Sequence, residues 1–325
     1  MHDPIDSAEE NIYFPAEIFK GFNAAKITFI KDAVAEGKKS EVIILSHINL
    51  LVVAWLIKKV NPTAKIILMA HGIEVWKALS SRKKTMLQSC NIIASVSSFT
   101  KQKIESLHGI SPNKNYVLNN CIDPFLVKPK EKNRDKVLTN RYGIKKEDIV
   151  LLTLTRLSHK DRYKGYDFVL EALKNIVKKY PTIKYILAGT YEAAEKKHID
   201  NKIINFGLSN NVVITGFIDE EELPSLFSLA DLYVMPSVKE GFGIVFIEAM
   251  YYGVPVIAAN VDGSTDALLQ GKLGLLIPPE NPLKIEEAVE KILENKVLYK
   301  PNFELLMENF GYKAYKGKVE ELLSS

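Results

Sequence analysis

Residues 237–250 read Ser-Val-Lys-Glu-Gly-Phe-Gly-Ile-Val-Phe-Ile-Glu-Ala-Met. Just before them, Asp231–Pro236 is a short apolar run that stops at a proline, the pattern of a buried strand. Gly241-Phe242-Gly243 makes a turn, and Ile244–Tyr252 continues as an apolar helix. Strand, glycine turn and helix in that order bring backbone N–H groups and the positive end of a helix dipole to one point, which suits a phosphate. Glu240 and Glu248 bracket the turn. Glu248 stands among Ile244, Val245, Phe246, Ile247, Ala249 and Met250. An unpaired carboxylate in that company is costly, so it calls for a partner, and a pair of sugar hydroxyls would serve.

The same alternation extends outward in both directions. Strand patterns precede the quoted stretch at 41–46, 65–70, 91–96, 115–118, 149–155, 183–188 and 212–215, and follow it at 254–258 and 274–277. Helical patterns lie between them, as at Tyr166–Lys179, Glu220–Leu229 and Pro282–Glu294. Alternating strands and helices predict α/β architecture with parallel sheets covered on both faces. At 325 residues the chain is long for one core, so two domains are expected. The Pro- and Lys-rich stretch Asp123–Asp135, with no strand or helix pattern, is the natural divide between residues 1–123 and 124–302.

Composition excludes several classes. Hydrophobic content of 47 % and charged content of 25 % are ordinary for a globular protein. Cys90 and Cys121 cannot build a disulfide framework, which points to a reducing compartment. Met1–Asp6 has neither the basic nor the apolar region of a signal peptide, and the most apolar stretch, 42–57, is broken by Ser46, His47 and Asn49 and falls short of the ~20 residues of a membrane span. A cytoplasmic location is the expectation. The net charge of +4 sits in residues 1–125, which hold 15 Lys/Arg against 11 Asp/Glu, while the remainder holds 28 of each. The excess, with Arg82-Lys83-Lys84 at its centre, is compatible with an anionic membrane face or a phosphorylated substrate. Solvated helix faces account for it more simply. No nucleic-acid module is recognisable.

In open α/β sheets, ligands sit at the carboxyl ends of the strands. That rule selects Arg156, Gly189 and the Glu240–Gly243 turn in the second half, and His47 and His71 in the first. Arg156 leaves a strand, and Lys164-Gly165 opens the next helix. Two cations at one helix start make a site for a diphosphate, although Lys160 and Arg162 show that the loop is basic in any case. A lone histidine is usually structural. His71, beside Gly72 and near Glu74, is the more suggestive of the two. The sequence has no Gly-x-Gly-x-x-Gly, Walker loop, Gly-x-Ser-x-Gly elbow, zinc pattern or Asp-x-Asp. Neutralising a diphosphate would therefore fall to Arg156, Lys164 and backbone amides, and neither metal nor cofactor is expected.

These residues together resemble the retaining GT-B glycosyltransferases of the large group 4 family. The family signature of two glutamates separated by seven residues matches Glu240 and Glu248. Around it lie Ala230-Asp-Leu-Tyr-Val-Met-Pro-Ser and Gly253-Val-Pro-Val-Ile-Ala. Further matches are Thr155-Arg-Leu with Lys164-Gly165, and Gly274-Leu-Leu-Ile-Pro-Pro. The resemblance implies two Rossmann-like domains facing across a cleft, with a C-terminal helix over 303–325 packing back on the first. It implies that Arg156 and Lys164 bind the donor diphosphate and Glu248 the ribose hydroxyls. Glu240 would hold the donor sugar, the backbone N–H groups of the Gly241-Phe242-Gly243 turn would meet sugar or phosphate, and His71 would contact the sugar from the first domain. The implied reaction moves a sugar from a nucleoside diphosphate to a hydroxyl of a glycan or lipid-linked acceptor, with retention of configuration.

Three departures stand out. Thr155 replaces a common glycine, and Asp262-Gly-Ser-Thr-Asp266 replaces a common Gly-Gly-x-x-Glu. Relatives open with a strand, a glycine-rich loop and a helix, whereas residues 1–39 carry neither that strand nor that loop, so an incomplete four-stranded first domain is expected. Two other readings fit part of the pattern. One is a non-catalytic nucleotide-sugar-binding protein. The other is a GT-B relative with epimerase or phosphorylase chemistry, but the 240–248 text argues against the epimerase, and no site for free phosphate or pyridoxal lysine is evident.

Overall fold

A computed structural model describes residues 12–127 and 134–324. The chain forms two compact units, one of residues up to 95 together with 100–117, the other of residues 96–99 together with those from 118 onward. The stretch 123–135 falls within the second unit, and its residues 128–133 lie outside the described ones.

The first unit holds a parallel sheet of β1 (Val42–Leu45), β2 (Lys65–Ala70), β3 (Ile92–Ser95) and β4 (Asn115–Val117), in the order β1-β2-β3-β4. Its helices are α1 (Lys26–Gly37), α2 (Leu51–Val60), α3 (Ser81–Gln88) and α4 (Ser98–His108), the last of which begins in the 96–99 segment. β2 and β3 are buried nearly throughout, as their unbroken apolar runs require of inner parallel strands. Gly37 lets α1 press against Ile57 of α2. The Asn61 amide ties down the end of α1 by donating to the Gly37 and Ser40 carbonyls at 3.0 and 2.9 Å. Ser80 caps α3 through Oγ, which accepts the Lys83 N–H. Before α1 the described residues carry one 3-10 turn, Ala16–Ile18, and no strand; residues 1–11 of the segment read as lacking an opening strand lie outside the described residues.

The second unit is built on six parallel strands. They are β5 (Ile149–Leu154), β6 (Ile183–Ala188), β7 (Val212–Ile214), β8 (Leu232–Met235), β9 (Val256–Ala259) and β10 (Leu275–Ile277). Their order is β10-β9-β8-β5-β6-β7. The chain runs outward from β5 to β7, then returns to the other side of β5 and runs outward again, so the order reverses between β5 and β8. Successive β5 residues face opposite layers. Val150 and Leu152 join one core with Tyr233, Met235 and Phe246, while Leu151 joins the other with Tyr185, Val234 and Ile257.

Helix α5 (Lys136–Arg141) precedes β5, and α6 (Tyr166–Lys179), α7 (Ala193–Asn205), α8 (Leu223–Leu229), α9 (Ile244–Tyr251), α10 (Ser264–Ala267) and α11 (Pro282–Glu294) follow the strands. α6 and α11 carry their apolar stripes into one layer, and α9 fills the other. The segment read as one helix over 303–325 is two, α12 (Phe303–Phe310) and α13 (Tyr312–Ser324). The break is Gly311, whose backbone is extended at φ −70° and ψ 153° and so cannot carry the helix through. Asn302 restarts the chain as a helix by capping α12, its Oδ1 accepting the Leu305 N–H at 3.0 Å.

Candidate active site

The reversal between β5 and β8 opens a crevice at their carboxyl ends, where an open parallel sheet places its ligand. Arg156 lies two residues beyond β5, and the 237–243 loop leaves β8 beside it. A 3-10 turn, His159–Lys164, joins Arg156 to α6. The turn crosses the end of β8 at Gly165, which has φ +85° and whose Cβ, were there one, would lie 2.7 Å from the Pro236 carbonyl oxygen. Only glycine passes there without displacing backbone. The Val238 N–H donates to the Tyr163 carbonyl at 2.9 Å and stitches the two loops together.

Arg156 and Lys164 are both paired. The Arg156 guanidinium grips Asp161 through Nε at 2.7 Å and Nη2 at 3.2 Å, with 71 % of its side chain still exposed. Burial works against ionisation of the Asp161 carboxyl. The Arg156 guanidinium and the Ser158 hydroxyl outweigh it and hold the group below its ordinary value. The Lys164 ammonium pairs with the Glu240 carboxylate, and both side chains are largely withdrawn from solvent. Lys164 and Lys239 place their ammonium groups 5.4 and 5.9 Å from the centre of the Tyr163 ring. The Tyr163 hydroxyl is pushed up to about 12 by burial and by the Asp161 and Glu240 carboxylates, so it stays protonated.

Glu248 differs from Glu240. It lies on α9, one turn past the glycine turn, half-buried, and among the described residues its carboxylate has no hydrogen-bond or ion-pair partner. Burial raises its pKa, and the Asp123 and Glu220 carboxylates add to the effect. α9 itself starts from Gly243 with no side-chain cap for its first-turn N–H groups. Phe242 does not face the crevice. Its ring is buried edge-on against Phe310, with centroids 5.4 Å apart, so this residue can meet a ligand through its main chain alone.

His71 belongs to the first unit, at the carboxyl end of β2. Its Nε2 lies 2.7 Å from the Ser46 carbonyl, which can only accept, so Nε2 is the donor of this bond. The Glu74 carboxylate accepts the His71 main-chain N–H at 2.6 Å and fixes the turn. His47 is structural, with Nδ1 accepting the Asn49 N–H at the entry to α2.

The sequence reading placed Arg156, Lys164, Gly241, Phe242, Gly243 and Glu248 on one crevice with Glu240, and the second unit brings them to the ends of two adjacent strands and the helices that follow. It missed the carboxylates that hold the site together. Asp161 and Asp262 are buried polar residues in connecting loops, and neither lies in an apolar pattern that would have marked it. Among the described residues, no cluster of three or more His, Cys, Asp or Glu side chains is arranged to hold a metal ion. Nor is any described helix long and apolar enough to cross a membrane.

The fold has clear structural counterparts. Anabaena HepE, solved in complex with UDP, superposes with a TM-score of 0.79 at 21 % identity, over 91 % of this chain and 82 % of that one. Sucrose-phosphate synthase from Thermosynechococcus elongatus superposes with a TM-score of 0.74 at 21 % identity, over 92 % and 77 %. Both likenesses are those of the GT-B architecture, two parallel α/β units in one chain. In sequence, the chain is 28 % identical over 209 residues to an uncharacterized glycosyltransferase of Methanocaldococcus jannaschii, covering 64 % of this chain and 52 % of that protein. It is 31 % identical over 161 residues to the alpha-D-kanosaminyltransferase of Streptomyces kanamyceticus, covering 50 % and 40 %. The chain thus spans about half the length of these curated relatives. With the GDP-mannose-dependent alpha-(1-6)-phosphatidylinositol monomannoside mannosyltransferase of Mycolicibacterium smegmatis it shares 26 % identity over 276 residues, 80 % of this chain and 70 % of that protein. The model of the family "Glycosyl transferases group 1" matches residues 135–317, more than half of the chain and the whole of the crevice described above. The chain belongs to the group 1 glycosyl transferases.

Proposed function

We propose that the protein moves a sugar from a nucleoside-diphosphate sugar to a hydroxyl of a glycan or lipid-linked acceptor, with the anomeric configuration retained. The observation that carries this reading is Glu248, a half-buried carboxylate with no partner among the described residues, on a helix that starts without a side-chain cap. A ribose diol supplies the two donors that such a carboxylate lacks. Arg156, Lys164 and the first N–H groups of α9 then take the diphosphate, and no metal ion is part of the proposal. Glu240 accepts the donor sugar's hydroxyls, and His71, from the first unit, is assigned to the same sugar. The proposal extends to a cytoplasmic location and to contact of the exposed Arg82-Lys83 pair with an anionic membrane face, testable by sedimentation with anionic vesicles.

The proposed mechanism is a same-face displacement. The anomeric C–O bond breaks toward the diphosphate, the acceptor oxygen bonds to the same face, and the acceptor's proton passes to the leaving phosphate oxygen. The crevice contributes by orienting the donor and by stabilising the charge that grows on the diphosphate. The relatives support a nucleotide-sugar donor without naming the base. HepE was solved with UDP and with UDP-glucose, while the Mycolicibacterium smegmatis enzyme is GDP-mannose-dependent. Calorimetry with a panel of nucleotides and nucleotide sugars tests the donor, and NMR of the product's anomeric configuration tests retention. Absence of binding to every nucleoside diphosphate would overturn the reading.

A further inference from the structure

Asp262 lies in the loop that leaves β9 for α10, with 1 % of its surface exposed. One carboxylate oxygen, Oδ2, accepts the Glu240 N–H at 2.6 Å, and the other, Oδ1, accepts the Ser264 N–H at 2.9 Å. The next residue, Gly263, donates its N–H to the Glu240 carbonyl at 2.9 Å. Two consecutive residues of one loop thereby hold both main-chain polar groups of Glu240. The loops meet backbone to backbone, since a Cβ on Gly263 would lie 2.0 Å from the Gly241 carbonyl oxygen. Beyond this grip, Lys164 holds Glu240 at its far end.

We infer that Asp262 is a positioning residue that sets sugar specificity: by holding the Glu240 main chain it fixes the carboxylate that reads the donor's sugar, and it leaves the nucleotide to Arg156, Lys164 and Glu248. The inference rests on the reading above, in which Glu240 accepts sugar hydroxyls. Asp262 touches no ligand on this view. It acts through Glu240, and a displacement of that carboxylate by a fraction of an ångström weakens contacts to the sugar without reaching the ribose or the phosphates.

The test compares affinities for nucleoside diphosphates (UDP, GDP) with those for the matching nucleotide sugars (UDP-glucose, GDP-mannose), by calorimetry, on the full chain and on D262A and D262N. In D262A the preference for nucleotide sugar over bare nucleotide is expected to fall about tenfold, while bare-nucleotide affinity stays within about threefold. D262N keeps an amide oxygen that can accept the Glu240 N–H, so it should restore most of the preference. If D262A does not fold, D262S, whose hydroxyl reaches one N–H only, carries the same comparison. An unchanged preference in a folded variant overturns the inference while leaving the donor site standing. Equal losses for nucleotide and nucleotide sugar also overturn it, because a merely structural role predicts that pattern. If the wild-type chain binds no nucleotide, the donor-site reading falls, and this inference with it.

Discussion

The Lys164 ammonium and the Glu240 carboxylate, 76 residues apart in sequence, form an ion pair where the strand order of the second unit reverses. The pair neutralises two charges that are mostly out of water, and it occupies two of the groups assigned to the donor. On the proposed reading, a diphosphate would compete with Glu240 for Lys164, and its arrival would free the carboxylate for sugar hydroxyls. Nucleotide binding should therefore prepare the sugar subsite.

Lys164→Ala should lose nucleoside-diphosphate affinity by about tenfold or more and, by stranding Glu240, should cost about 2–4 kcal/mol of stability. Adding Glu240→Gln removes the stranded charge, so the double variant should regain most of the stability but none of the affinity. Calorimetry and denaturant unfolding on the two single variants and the double variant check both halves. Equal stability of the two Lys164→Ala chains, with and without Glu240→Gln, would argue against the pair as described.

Glu248→Ala should separate binding from stability in the opposite sense. The carboxylate has no partner among the described residues, and burial, with Asp123 and Glu220 nearby, raises its pKa. Removing it should leave stability unchanged or slightly higher, within about 1 kcal/mol, because an unpaired half-buried charge is relieved. Nucleotide affinity should nevertheless fall about tenfold or more. A stability loss as large as that of Lys164→Ala would mean that Glu248 has a structural partner.

Much of this was legible in the sequence, for a physical reason. Inner parallel strands are buried on both faces, so β5, β6 and β8 stand out as apolar runs, and the run at 149–155 matches β5 to within one residue. Glu248 was legible because a carboxylate inside an apolar run is anomalous wherever the chain folds, and Glu240 because it borders the glycine turn that follows a strand. The pairings of Arg156 and Lys164 were not, since each cation finds its carboxylate only through the fold. Asp262 stands out in the sequence as a departure but not as a ligand of Glu240, for the same reason. Gly311 was invisible as a helix break because a lone glycine inside a helical pattern is usually tolerated.

Asp262 gives a pH signature. Burial, with the Glu240 carboxylate adding to it, pushes its pKa up to about 6, against the opposing pull of the N–H groups it accepts from. In the unfolded chain it sheds its proton near pH 4. Between those values the native state holds more protons, so stability falls as pH rises through this window, and the penalty is complete above about pH 6. A difference of that size is worth ~3 kcal/mol as an upper figure. Denaturant unfolding of wild type and Asp262→Asn from pH 4 to 7 should show the wild-type slope flattened in the variant. Parallel curves would remove Asp262 as the source.

Gly165→Ala should damage the site from behind. The left-handed backbone costs about 1 kcal/mol or more for alanine, and the new Cβ meets the Pro236 carbonyl at 2.7 Å, so the turn must move away from β8. Lys164 moves with it. Expected are a stability loss of about 2–3 kcal/mol and weaker nucleotide binding, read by unfolding and calorimetry. Gly207 is the control. It is also left-handed, but a Cβ added there would meet nothing within 4 Å, so alanine at that position should cost stability alone.

Phe242 tests whether the glycine turn works through its main chain. Its ring is 2 % exposed and packs edge-on against Phe310 of α12, while its neighbours Gly241 and Gly243 border the crevice. Phe242→Leu keeps an apolar side chain of reduced volume in the same cavity and should cost about 1–2 kcal/mol, with nucleotide-sugar affinity held within about threefold. Phe242→Ala opens a larger cavity, should cost about 3–4 kcal/mol, and should loosen α12 as well as the turn. Affinity should then fall in step with the mobility of the turn, measured as faster amide exchange at 241–245, rather than with the loss of the ring. A large affinity loss in Phe242→Leu without faster exchange would mean that the ring itself meets the donor.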